Sequence, residues 1–240
     1  MAWLAQSLRL SIFPMPGAPL DQLPTLERLT GRPPEQTLNK AGRHAEAGPF
    51  GRGGLQLVRQ PPLRADLGYA IMPSEDEEVP DMLALGPAEE EFATFRPVAL
   101  ALLAGAPPLQ RFALGAELTK RTNNRDEAYR YINEKVQRGR LDLNGASEFT
   151  YQINRPREST VVRDLRLNRL AKWSANKWTR LLVDSSGQQN LGPETHGNRL
   201  TLDINTPGEN LRGLAPETLA PLFDEFVQLG LEIAERGDIP

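Results

Sequence analysis

Apolar and polar residues alternate in several short stretches of the chain and recur at helical spacing in others. Leu8, Leu10 and Ile12 alternate with Arg9 and Ser11, which predicts a strand stopped by Pro14 and Pro16. Residues 24–30 read as a short helix, and residues 34–40 as a further turn or two. Beyond the glycine-rich run 51–54, residues 55–60 and 64–72 predict an antiparallel pair around Pro61-Pro62, with Ala65, Leu67, Tyr69 and Ile71 on one face. Residues 88–103 predict a helix with Phe92, Phe95 and Leu102 inward, kinked or split at Pro97.

The pattern then restarts. Phe112, Leu114, Ala116 and Leu118 alternate as a strand, and Asn123-Asn124 offers an N-cap to a helix with Asp126 and Glu127 in its first turn. Ala128, Tyr131, Ile132 and Val136 form that helix's apolar stripe. Strands follow at Phe149, Tyr151 and Ile153, at 178–183, and at Leu200, Leu202 and Ile204. A last helix over 216–236 carries Leu219, Phe223, Phe226 and Ile233 and stops at Gly237. The order strand–helix–strand–strand–helix therefore occurs twice. It predicts an α+β fold of two related lobes, residues 1–105 and 106–240, with antiparallel or mixed sheets and helices on one face. One continuous sheet and two packed sheets both fit.

Charge changes the picture more than composition does. The net charge of −3 conceals segregation: Glu75, Asp76, Glu77, Glu78, Asp81, Glu89, Glu90 and Glu91 follow one another without a Lys or Arg. Residues 120–180 carry a basic excess, and 203–238 are acidic again. Such asymmetry reads as a partner face, as two mutually attracting faces of one molecule, or as solvated surface. The absence of cysteine excludes disulfides, thiolate catalysis and zinc ribbons, and fits a cytoplasmic location. The first ten residues lack a basic n-region and contain Arg9, so no signal peptide is expected. With no long apolar run, no membrane span is expected either.

The richest chemistry lies in a basic ribbon, residues 149–159 and 165–178. Its candidate binding residues are Tyr151, Asn154, Arg155, Arg157, Arg166, Asn168, Arg169, Lys172, Trp173, Lys177 and Trp178. No nucleophile–base pair, metal cluster or phosphate loop stands beside it, so no catalytic residue, metal or cofactor is assigned. His44 and His196 read as exposed loop residues outside any zinc spacing. The glycines at 51–54 precede a strand and read as a turn, and Glu75 to Glu78 read as a solvated loop rather than a calcium site. Asp203 faces either a polar groove or a strand-end salt bridge with a ribbon arginine.

The ribbon has three readings. As structure, the pairs Asn154-Arg155, Asn168-Arg169 and Asn198-Arg199 tie strands together and meet acidic residues of the last helix. As a binder of single-stranded RNA or DNA, its Arg and Lys meet phosphates while Tyr151, Trp173 or Trp178 stacks on bases. As a protein-binding surface, Arg and Trp serve as anchors.

The strings at 149–159 (FTYQINRPRES), 167–174 (LNRLAKWS) and 202–206 (LDINT), with the closing 230–238, resemble a group of sporadically distributed bacterial proteins that have no assigned activity. The resemblance covers the C-terminal half well and the N-terminal half loosely. It implies a bacterial cytoplasmic protein from a variable gene neighbourhood, such as those holding phage defence systems. The leading expectation is a non-enzymatic interaction or scaffold subunit with protein partners or copies of itself. The alternatives are a single-stranded nucleic-acid binder and an enzyme using Asp203 with Arg155 and Tyr151 for acid–base chemistry.

Overall fold

A computed structural model describes residues 2–72, 82–137, 139–183, 189–208 and 213–239. In chain order the elements are β1 (Leu4–Pro14), α1 (Leu26–Thr30), β2 (Gln36–Lys40), β3 (Arg43–Phe50), β4 (Gly53–Gln60), β5 (Arg64–Ala70), β6 (Gly86–Pro87) and α2 (Ala88–Ala104). Then follow β7 (Leu109–Thr122), α3 (Arg125–Gln137), β8 (Thr150–Asn154), β9 (Arg157–Glu158), β10 (Arg166–Val183), β11 (Gln189–Asn205) and α4 (Pro216–Arg236). The chain is an α+β protein with an 11-stranded sheet in the order β2-β3-β4-β5-β1-β7-β11-β10-β8, with β6 on β1 and β9 on β10. β1 and β7 pair antiparallel from Leu4 opposite Thr119 to Pro14 opposite Leu109, so one sheet runs through both halves of the chain.

Alternation decides which face is covered. Leu8, Leu10 and Ile12 stand in register with Tyr69, Leu67 and Ala65 on one side and with Ala116, Leu114 and Phe112 on the other. Leu202 and Ile204 continue these rows on β11, and all these side chains are buried. The helices lie on this face. Phe95 of α2 stacks on Tyr69, Phe226 of α4 lies 4.7 Å from Phe112, and Tyr131 of α3 meets Trp3 edge-on. Gly230 lets α4 approach closely, because a Cβ there would already sit 3.4 Å from Leu202 and 3.5 Å from Ile204. Each large side chain buried this way contributes roughly 1.5–3 kcal/mol. The opposite face carries Arg9, Gly115, Glu117, Lys172, Thr201 and Asp203, and among the described residues no helix covers it.

Several local expectations need correction. Residues 36–40 form strand β2, not a helical turn; all five side chains are exposed, so the pattern carried no period and pairing with β3 sets the conformation. His44 and His196 sit in strands β3 and β11, not in loops. Pro97 neither splits nor ends α2, which runs unbroken from Ala88 to Ala104. Pro97 and Ala93 are both exposed, so water can take the carbonyl that loses its helical partner. At α3 the Asn124 side chain accepts the Glu127 N–H at 2.9 Å, and the Glu127 carboxylate accepts the Asn123 N–H at 3.0 Å. Glu75, Asp76, Glu77, Glu78 and Asp81 lie outside the described residues. No described helix is long and apolar enough to cross a membrane.

Candidate partner-binding face

Strand alternation divides the ribbon into two sets. β8 and β10 pair with Tyr151 opposite Trp173, Ile153 opposite Ala171 and Asn154 opposite Leu170. Tyr151, Arg155, Arg169 and Trp173 therefore point to the helix-covered side. Trp173 and Arg169 are each 1% exposed, and the Trp173 ring lies 5.9 Å from that of Tyr151. Burial removes Trp173 from any role in stacking on bases and makes it core.

The covered set is held by the C-terminal segment. Arg155 donates from Nε and Nη2 to the two carboxylate oxygens of Asp238 at 2.8 and 2.9 Å, and the Tyr151 hydroxyl donates to Asp238 at 2.7 Å. Above all the hydrogen bond from Arg155 holds the Asp238 carboxyl below its ordinary range, against the opposing effect of burial. Arg169 donates to the carbonyls of Arg155 and Ile239 at 2.7 and 3.2 Å, while its buried Nη1 has no partner among the described residues. Desolvation pushes the Arg169 pKa down. Arg157 pairs with Glu232 at 3.1 Å, and Glu225 accepts from the Ser159 hydroxyl and from the Thr160 N–H and hydroxyl at 2.6, 2.6 and 2.8 Å. The basic ribbon and the acidic C-terminal stretch thus attract each other within one molecule. Asp238 was missed in the sequence because it follows the helix stop. Gly237 (φ 85°) turns the chain there, and the Asp238 N–H reaches the Lys135 carbonyl at 3.0 Å.

The other set faces the helix-free side. Side-chain amides run from Asn154 to Asn168 at 3.1 Å, from Asn168 to Asn205 at 3.1 Å, and from Asn205 to Asp203 at 2.8 Å. Among the described residues Asp203 therefore accepts an amide, not an arginine. It lies across the sheet from Arg155 and Tyr151, so the acid–base trio of Asp203, Arg155 and Tyr151 is not assembled. Lys172 and Arg166 are exposed on this side, whereas Lys177, in alternation with Trp173 and Ala175, points to the helix-covered side and pairs with Glu194 at 2.7 Å. Trp178 is half-buried against Gly197, where a Cβ would lie 3.0 Å from its ring and 3.2 Å from Met82. At the centre of the sheet Arg9 is exposed between Gly68 and Gly115, which flank it in register on β5 and β7. Sequence reading missed Arg9 as a surface feature; the signal available was a charge in the middle of an apolar alternation. Nearby, Arg199 pairs with Glu117, and Arg64 pairs with Asp66 at 3.1 Å. Among the described residues no group of His, Asp and Glu is placed to hold a metal.

Compared with known proteins, the chain matches no family model, no curated protein and no solved structure.

Proposed function

We propose that this chain is a non-catalytic interaction subunit that docks a carboxylate-rich protein surface across the helix-free face of its sheet. The observation that carries the reading is a sheet face on which, among the described residues, no helix lies and the exposed Arg9 and Lys172 have no carboxylate partner. Neighbouring charges are already compensated, Arg199 by Glu117 and Arg64 by Asp66. Arg9 and Lys172 are left to an outside anion. Gly68 supports the same reading: among the described residues a Cβ there would meet only the Gln56 carbonyl, at 4.0 Å, so none of them requires glycine. A strand glycine without an internal reason suits close approach by another backbone. A nucleic acid would meet the same cations but would find Trp173 buried and Tyr151 engaged by Asp238, which favours a protein.

The resemblance of the C-terminal motifs implies a bacterial cytoplasmic assembly from a variable gene neighbourhood, such as those that hold phage defence systems. In the same reading, residues 1–105 and 106–240 are two related units. Supporting this, the order β3-β4-β5-β1 in the first half has its counterpart in β8-β10-β11-β7 in the second, each half setting its first strand beside its last long one. Superposition of α2 on α4 when the half-sheets are aligned would be the corresponding measurement in an experimental structure.

The functional test is charge reversal. Tagged wild type, Arg9→Glu and Lys172→Glu are purified from the native host and their co-eluting proteins identified. Wild type is expected to bring down a stoichiometric partner that both variants lose at unchanged melting temperature. A wild type that purifies alone, or a partner retained by both variants, refutes the reading.

A further inference from the structure

Independent of the open face, a pocket of about 360 Å³ lies on the helix-covered side, where α3 meets the base of the β10–β11 hairpin. Arg125 and Tyr129 enter it from α3, Ser147 from the segment before β8, Lys177 from β10, and Glu194 and His196 from β11. The hairpin outreaches its neighbours here: β8 pairs β10 only as far as Ser174, and β7 pairs β11 only as far as His196. Residues 177–183 and 189–195 therefore project as two strands with no third strand beside them among the described residues, and the pocket sits at their root.

We propose that this pocket binds a phosphorylated small molecule through its phosphoryl group. Two permanent cations, Arg125 and Lys177, face one carboxylate, Glu194, so the pocket keeps a positive excess. Lys177 holds Glu194 at 2.7 Å with one of its three N–H donors, and this hydrogen bond keeps the Glu194 carboxyl ionised below its ordinary range. Among the described residues no other group takes the remaining Lys177 donors, which leaves them for a ligand. His196 stands with Nε2 4.0 Å from Glu194, adding a ring nitrogen, and Ser147 adds an exposed hydroxyl. Asp126 pairs with Arg125 at 3.7 Å but is 80% exposed, so water competes for that contact. The N-terminal part of α3 supplies Arg125 and the pocket wall at Ala128 and Tyr129; of the two carboxylates in its first turn, Glu127 is turned to Asn123 and Asp126 to Arg125. Donors from α3, the 147 segment, β10 and β11 surround a volume rather than face a plane. Donors converging from separate elements suit an anion with several acceptor oxygens, such as a phosphoryl group, and the volume lies in the range of small-molecule sites. Binding would join α3 to the hairpin root and stiffen the projecting strands.

The test is calorimetric titration of the full chain with inorganic phosphate, pyrophosphate, adenosine monophosphate and adenosine, repeated with Arg125→Gln and Lys177→Gln. Both side chains are more than half exposed, at 57% and 53%, so the variants keep the fold. Phosphorylated probes are expected to bind wild type at millimolar or better affinity, adenosine not to bind, and each variant to lose about tenfold. Hydrogen exchange in residues 189–195 should slow on binding. Absence of binding by all three phosphorylated probes, equal binding of adenosine and its monophosphate, or unchanged affinity in both variants overturns the proposal. None of these results bears on the open face, which shares neither residue.

Discussion

Replacing Asp238 by Asn should separate the ribbon from the C-terminal segment while keeping the side chain's shape. The carboxylate is 4% exposed and accepts three hydrogen bonds, two from Arg155 and one from Tyr151. Bonds to a charged group contribute about 1.5–3 kcal/mol each. Sharing one carboxylate makes them non-additive. Arg155 is 43% exposed, so it regains water once the charge is gone, and breaking this pair costs less than breaking a fully buried one. The net expectation is a loss of about 2–3 kcal/mol, read in urea as a lower midpoint at constant slope. For a chain of this size that corresponds to a melting temperature lower by about 5–10 °C. The sign of the pH dependence follows from the depressed carboxyl. Between the ordinary aspartate value, about 4, and the lower folded value, the unfolded chain binds more protons, so stability rises with pH through that window. The gap between wild type and Asp238→Asn should be full above about pH 5 and shrink as pH falls below about 4. A gap smaller than about 0.5 kcal/mol at neutral pH, or one unchanged in acid, would refute the stabilising role of the Asp238 contacts.

Trp173→Ala should cost about 3–5 kcal/mol in chemical denaturation, whereas Lys172→Ala, one residue along and on the open face, should change stability by less than about 0.5 kcal/mol. Gly197→Ala should cost about 1–3 kcal/mol of stability, read as a lower urea midpoint, because the new methyl would lie 2.6 Å from the Lys120 carbonyl and 3.0 Å from the Trp178 ring. Its Trp fluorescence should shift as the ring gives way. Glu225→Gln should release residues 159–162 from α4, seen as faster amide exchange at Thr160, whose N–H donates to that carboxylate at 2.6 Å.

The strongly periodic elements were legible. Leu8, Leu10 and Ile12, the Phe112–Leu118 alternation and the stripe of α4 each specify a face locally, because one side of the element must leave water. The ribbon's residues were also visible, but their division was not. Alternation assigns Tyr151, Arg155, Arg169 and Trp173 to one side and Asn154, Asn168 and Lys172 to the other, yet only tertiary pairing decides which side α4 covers. Arg169 misleads most, since a buried guanidinium resting on two carbonyls looks in sequence like any surface arginine. β2 could not be found, since its five exposed residues carry no pattern and its strand state comes from β3.

The seam between β1 and β7 also has a consequence for how the molecule is made. Residues 4–14 find one neighbour in β5, within 70 residues of synthesis, but the other only when β7 has emerged, about 100 positions later in the chain. Until then the nascent first half exposes the long free edge of β1, with its row of unpaired amides and carbonyls. A ribosome pausing before residue 109, or a chain cut at the seam, would present this edge to any other strand nearby, including that of a second copy. The N-terminal half made alone should accordingly be poorly soluble, and the C-terminal half supplied in trans should rescue it by closing the same seam.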